Sequence, residues 1–171
     1  LTISGASNFE GGTLINAGSL TLGASGVLYD YGIVEFADVS GAIFNLADND
    51  EKIGALKGGG SSGGNVTLGS ATLTTSPMAY SGWVSQSSTY AGIISGTGAL
   101  VKEGWAQLTL TGQSTYSGGT TISTGYIKIG VNNALLNTGA VTFPGSANAT
   151  NLIIKNSFTQ TIGNLSGANA N

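Results

Sequence analysis

Eight carboxylates, five lysines and thirteen aromatic rings are the side chains with chemistry to offer in this 171-residue chain, which has no His, Cys or Arg. Without imidazole or thiol, Ser-His-Asp and Cys-His nucleophilic catalysis, nitrogen and thiolate metal ligation, and the ordinary general base near neutral pH are all missing. Glycoside cleavage needs two carboxylates held at a defined separation, yet Glu10, Asp30, Glu35, Asp38 and Glu103 are scattered. One cluster stands out, Asp48-Asn49-Asp50-Glu51. Its alternating oxygens suit Ca²⁺, but the full calcium-loop spacing is absent, so Asp48, Asp50 and Glu51 read first as a solvated charged turn and second as a weak calcium site. No residue is assigned a catalytic, cofactor-binding or metal-binding role.

Flat rings with a polar tip suit sugar faces, which makes Tyr29, Tyr31, Tyr80, Trp83, Tyr90, Trp105 and Tyr116 candidates for carbohydrate stacking. Packing in a core or corner is the commoner fate, and it is the expected one for Phe9 and Tyr116. Thr-x-Thr pairs such as Thr72/Thr74 and Thr109/Thr111 resemble the hydroxyl ladders of ice-binding solenoids, but no regular array through many coils is visible and ordinary β-propensity accounts for them. The run Gly58–Gly64 lacks the Lys-Ser/Thr of a phosphate loop and reads as a flexible loop. Asn-x-Ser/Thr triplets at Asn65, Asn148 and Asn164 are expected by chance in so polar a chain.

The elements that carry these residues follow from composition. Charged residues are 8% of the chain, against roughly 25% in ordinary globular proteins. Hydrophobic residues reach 40% and Pro appears twice, so the chain is not of disordered type. Gly and β-branched residues dominate and no helical apolar stripe is sustained, which leaves β-structure. A net charge of −3 without Arg offers no basic face for nucleic acid. No apolar run is long enough to span a bilayer, so no membrane insertion by this segment is expected.

Internal repetition is the strongest signal. Leu1–Gly23 aligns without a gap on Leu108–Gly130, matching Gly5/Gly112, Gly11/Gly118, Gly12/Gly119, Ile15/Ile122, Gly18/Gly125 and Gly23/Gly130; Ile53-Gly54-Ala55-Leu56 recurs as Ile162-Gly163-Asn164-Leu165. The chain therefore reads as a single solenoid segment of about one and a half copies of a unit of roughly 108 residues, 1–107 and a partial 108–171, excerpted from a longer array. Short alternating runs such as Leu20–Leu22, Val27–Tyr29, Leu108–Leu110 and Tyr126–Ile129 are punctuated by Gly and Ser-Gly corners. Stacked in parallel, they predict coils of about 20 to 25 residues, about seven or eight in number, with Leu108, Leu110, Ile127 and Ile129 facing a narrow bore and Thr109, Thr111 and Lys128 facing solvent.

The phrase Leu-Thr-Leu-Thr-Gly-x-Ser-Thr-Tyr-Ser-Gly-Gly-Thr-Thr-Ile at 108–122, preceded by Ile-Ile-Ser-Gly-Thr-Gly-Ala-Leu-Val-Lys at 93–102, resembles the autotransporter-associated β-strand repeat of bacterial autotransporter passengers. The resemblance takes in Leu1–Gly23, Ile53–Thr74 and most of Ile93–Gly163, and implies an all-β, right-handed parallel β-helix displayed outside the cell. Gly26–Lys52 departs from the pattern, so an insertion, loop or distinct coil is expected there. The resemblance brings no catalytic residues. Repetition, low charge and the missing chemistry point to a non-enzymatic stalk or adhesive segment, with self-association through stacked coil ends, suggested by exposed coil edges, and surface carbohydrate as candidate partners. The rivals are a self-assembling extracellular fibre and a carbohydrate-active β-helix, the latter only if acids and aromatics converge.

Overall fold

The computed structural model describes residues 1–7, 10–76, 87–145, 150–155 and 157–167. Among these, every regular element is a short strand. In chain order they are β1 (Thr2–Ile3), β2 (Thr13–Ile15), β3 (Ser19–Leu22), β4 (Ile33–Phe36), β5 (Ile43–Asn45), β6 (Glu51–Ile53), β7 (Ala55–Gly58), β8 (Asn65–Thr67) and β9 (Thr72–Thr75). There follow β10 (Ser88–Tyr90), β11 (Ile94–Ser95), β12 (Ala99–Lys102), β13 (Gln107–Leu110), β14 (Thr120–Ile122), β15 (Gly125–Ile129), β16 (Ala140–Phe143), β17 (Thr150–Ile154) and β18 (Asn164–Gly167). They stack into three parallel sheets, β1-β3-β5-β8-β11, β2-β4-β7-β10-β13-β15-β17 and β6-β9-β12-β14-β16-β18.

The seven strands of the second sheet mark seven coils of a β-solenoid, whose ladders of hydrogen bonds run along the rod. Register pairs set the coil length. Thr13 pairs with Val34, Ile33 with Ala55, Ser88 with Leu108 and Gln107 with Tyr126, so that each coil closes near the short end of the range for stacked repeats. The long step falls between Gly58 and Tyr90, half as long again as its neighbours. Gly26–Lys52, where an insertion or distinct coil was expected, instead carries β4, β5 and the start of β6 in ordinary register.

Period-2 alternation explains the core. In β13 and β15, Leu108, Leu110, Ile127 and Ile129 are buried, while Thr109 and Lys128 lie on the outer face. Each buried aliphatic side chain contributes about 1.5 to 3 kcal/mol, and stacking repeats that gain in each coil. Among the described residues, all three sides are strands only in the middle of the rod. The first two coils there lack a strand of the third sheet, and the coils after β11 lack one of the first. The predicted run Val27–Tyr29 sits in one of these gaps. It forms no strand, because the Val27 and Leu28 amides are taken by the Glu51 carboxylate and not by a neighbouring backbone.

The glycine run at 58–64 is a tight corner and not the loose loop its composition suggested. Gly59 N donates to Phe36 O and Gly60 N to Gly63 O, and Asp38 Oδ1 accepts from Ser62 N at 2.7 Å and Gly63 N at 3.1 Å. A Cβ at Gly63 would run into the Val39 carbonyl of the coil below.

The two related stretches share fine detail. Gly12 and Gly119, Gly18 and Gly125, and Gly26 and Asn133 all have positive φ at matching places. Ser7 N→Val27 O recurs as Ser114 N→Ala134 O, and Gly23 N→Ile3 O as Gly130 N→Leu110 O. The strands nevertheless fall on different sides of the rod. β1, β2, β3 and β4 lie in the first, second, first and second sheets, whereas β13, β14, β15 and β16 lie in the second, third, second and third.

Candidate binding edge

Where the third sheet turns into the second, the described corners of the second, third and fifth coils lie along one edge of the rod, while residues 77–86 between β9 and β10 lie outside the described residues. The second coil places Tyr29, Asp30 and Tyr31 there, ahead of β4. The third contributes Gly54, whose amide donates to Gly32 O at 2.8 Å. Glycine is required, since a Cβ would meet the Tyr31 carbonyl. The fifth coil adds Glu103, Gly104 and Trp105 between β12 and β13. The Tyr29 and Tyr31 rings meet edge to face, 5.7 Å apart at 72°. Tyr31 is 42% and Trp105 51% exposed.

Polar groups accompany these rings. Lys52, on the outer face of β6, reaches past one whole coil to Glu103, Nζ to Oε2 at 2.9 Å. That hydrogen bond, helped by the charges of Glu103 and Asp30, holds the Lys52 ammonium above the ordinary lysine range. Among the described residues the edge thus gathers three exposed or half-buried rings, two carboxylates and one ammonium from the second, third and fifth coils.

Behind it lie two buried charges that sequence reading missed. Lys102 is fully buried, and its Nζ donates to the carbonyl oxygens of Glu103, Gly104 (2.7 Å) and Thr124 (3.4 Å), matching three donors to three acceptors of the corner. Burial lowers its pKa to about 8, against the opposing pull of Glu103. Glu51 is 3% exposed; Oε2 accepts from Val27 N (2.9 Å) and Leu28 N (3.4 Å), and Oε1 from Lys52 N (3.2 Å). Burial raises its pKa in spite of those three bonds. Alternation carried the signal for both: Lys102 follows Leu100 by two positions, and Glu51 precedes Ile53 by two, on inward faces.

The acidic cluster disperses. Asp48 Oδ1 accepts from Ser70 N and Oγ, Asp50 Oδ1 accepts from Thr72 N, and Glu51 turns inward toward Val27. Among the described residues no three carboxylates gather as a metal site. Tyr90 and Tyr116 are core residues, with Tyr90 Oη donating to Gly64 O at 2.8 Å and Tyr116 Oη 2.6 Å from Thr120 Oγ1; burial raises both phenols. Phe9, Tyr80, Trp83 and Asn148 lie outside the described residues. A polar column unseen in the sequence runs up the first sheet, Thr2, Thr21, Asn45, Thr67 and Ser95 in register, with Thr67 Oγ1 donating to Asn45 Oδ1.

The coil stack and its short parallel strands define a parallel β-solenoid repeat. The passenger-associated-transport-repeat family matches residues 1–22 and 100–129, so both related stretches carry this repeat. It is 39% identical over 157 residues to the adhesin BmaC autotransporter of Brucella suis biovar 1 (strain 1330), an alignment covering 90% of this chain. The chain spans 4% of the length of that curated relative. No solved structure matches it.

Proposed function

We propose that this chain is a non-enzymatic adhesive stalk segment of a secreted bacterial surface protein, exposed outside the cell. The observation that carries the reading is the unbroken seven-strand parallel ladder of the second sheet, which makes a rigid rod whose sides are free for contact. The passenger-repeat match and the likeness to an adhesin support it. The test is adhesion of bacteria displaying the full-length protein with and without these residues. A several-fold drop in attached cells at equal surface expression is expected; unchanged attachment overturns the adhesive role. Turnover of any polysaccharide by the purified chain overturns the non-enzymatic one.

A further inference from the structure

The two copies of the repeat separate what the fold needs from what it does not. Gly23 and Gly130 follow β3 and β15 at matching places, and a Cβ at either would strike hydroxyl residues of the preceding coil, Thr2 and Ser4 in the first copy, Thr109 and Thr111 in the second. That glycine dip belongs to the fold. On the strand before it the first copy carries Ser19 and Thr21, whose hydroxyls lie 3.3 Å apart, where the second carries Tyr126 and Lys128. Lys155, directly after β17, stands across the dip, close enough that its charge lowers the Lys128 pKa. Like charges facing each other on a sheet are destabilising, and the sequence beyond Glu103 contains no Asp or Glu to relieve them. The other lysines are accounted for: Lys102 is buried, Lys52 pairs with Glu103, and Lys57 faces Glu35 in register.

From this we infer that the outer face at Tyr126, Lys128 and Lys155 is a docking site for a sulfate or carboxylate group of an acidic polysaccharide, which deepens the adhesive reading and rests on it. Two ammoniums give charge-assisted hydrogen bonds to one anionic group, and they lose their mutual repulsion when it sits between them. Thr109, in register with Lys128, adds an oriented donor: its Oγ1 already accepts from Gln107 Nε2 at 2.9 Å, which leaves the hydroxyl proton for the anion. The half-buried Tyr126 ring, two positions before Lys128 on the same face, offers an apolar surface to the sugar that carries the group. Charge also limits the occupant. Seven of the eight carboxylates lie between Glu10 and Glu51, so the first three coils repel a polyanion and a short acidic stretch is held at the sixth and seventh coils alone.

The experiment titrates the chain by calorimetry with a heparin-derived hexasaccharide, a hexagalacturonate, cellohexaose and sodium sulfate, for wild type, Lys128→Thr, Lys155→Gln, Tyr126→Ser and a control that removes the same charge elsewhere, Lys57→Gln. At least one acidic hexasaccharide is expected to bind, with affinity falling tenfold or more in Lys128→Thr and Lys155→Gln, severalfold in Tyr126→Ser and in high salt, and unchanged in Lys57→Gln. Cellohexaose should not bind, and the urea midpoints of the lysine variants should be no lower than that of wild type. Absence of binding to both acidic sugars, equal binding by all variants, or inorganic sulfate bound as tightly as either sugar overturns the inference. Adhesion of bacteria displaying the full-length protein separates the two readings. If neither acidic sugar is bound yet deletion of the segment still abolishes attachment, the site fails and the adhesive role stands; if an acidic sugar is bound and deletion changes nothing, the site stands and its adhesive use fails.

Discussion

Leu1–Gly58 and Leu108–Gly167 share their strands and corners except for β6, which has no strand counterpart in the second stretch, yet each strand of the second stretch lies one sheet away from its counterpart in the first. Ile15 and Ile122, Leu20 and Ile127, and Leu22 and Ile129 are buried in both. What the sequence phrase specifies is therefore local: strand, irregular side, strand, Gly corner, strand. Which side of the rod receives it depends on how much chain the intervening coils consumed. The comparison reaches single side chains. Gln160 occupies the place of Glu51 and accepts from Leu135 N at 3.0 Å, as Glu51 accepts from Leu28 N. In both copies a long polar side chain substitutes for a missing strand of the ladder.

The largest effects should come from the core that both copies share. Leu22→Ala and Ile129→Ala are each expected to lower stability by about 2 to 5 kcal/mol in urea unfolding; a clearly smaller loss for one would show that the phrase is not equally buried in its two settings. Lys102→Met leaves three corner carbonyls unpartnered and is expected to lose about 3 kcal/mol, although it removes a buried charge. The same residue sets an alkaline response. Between its folded value of about 8 and the ordinary 10.5, the unfolded chain binds more protons, so stability rises with pH, by on the order of 3 kcal/mol if no other group intervenes. Above about pH 10 the raised phenols of Tyr90 and Tyr116 reverse the trend. Wild type should show this rise in unfolding midpoints across pH 8 to 10, and Lys102→Met should lack it.

Glu51→Gln copies the second repeat into the first and is expected to change stability by about 1 kcal/mol or less at neutral pH. Its clearer mark is in acid. The Glu51 carboxyl is raised above 4.5, so the native state holds the proton longer than the unfolded chain, and stability falls as pH rises through that window; the Gln variant should lose this component. Smallest is Lys52→Ala, which removes a half-exposed ion pair and should shift stability by about 0.5 kcal/mol, falling further in high salt.

The solenoid, its inward residues and its coil length were legible because period-2 alternation and Gly corners are local. Tyr116 was legible as packing for the same reason. The grouping of Tyr31, Asp30, Lys52, Glu103 and Trp105 was not, since it joins residues from the second, third and fifth coils, and only knowledge of coil length brings them to one edge. Lys102 and Glu51 escaped because charge suggested solvent while their spacing from Leu100 and Ile53 pointed inward. The column of Thr2, Thr21, Asn45, Thr67 and Ser95 was hidden by unequal steps, the one from Thr67 to Ser95 being half as long again as the one from Thr2 to Thr21.

Because every ladder runs along the rod, a load applied between its ends acts in line with the hydrogen bonds. The bonds of one coil face then open ahead of the next, and tension peels coils singly where it would have to shear a whole sheet at once if strands lay along the pull. Each freed coil of about 20 residues releases on the order of 70 Å of extended chain. Anchored at one end and gripped at the other, such a rod is a shock absorber, yielding in steps and dissipating work while the remaining coils stay wound.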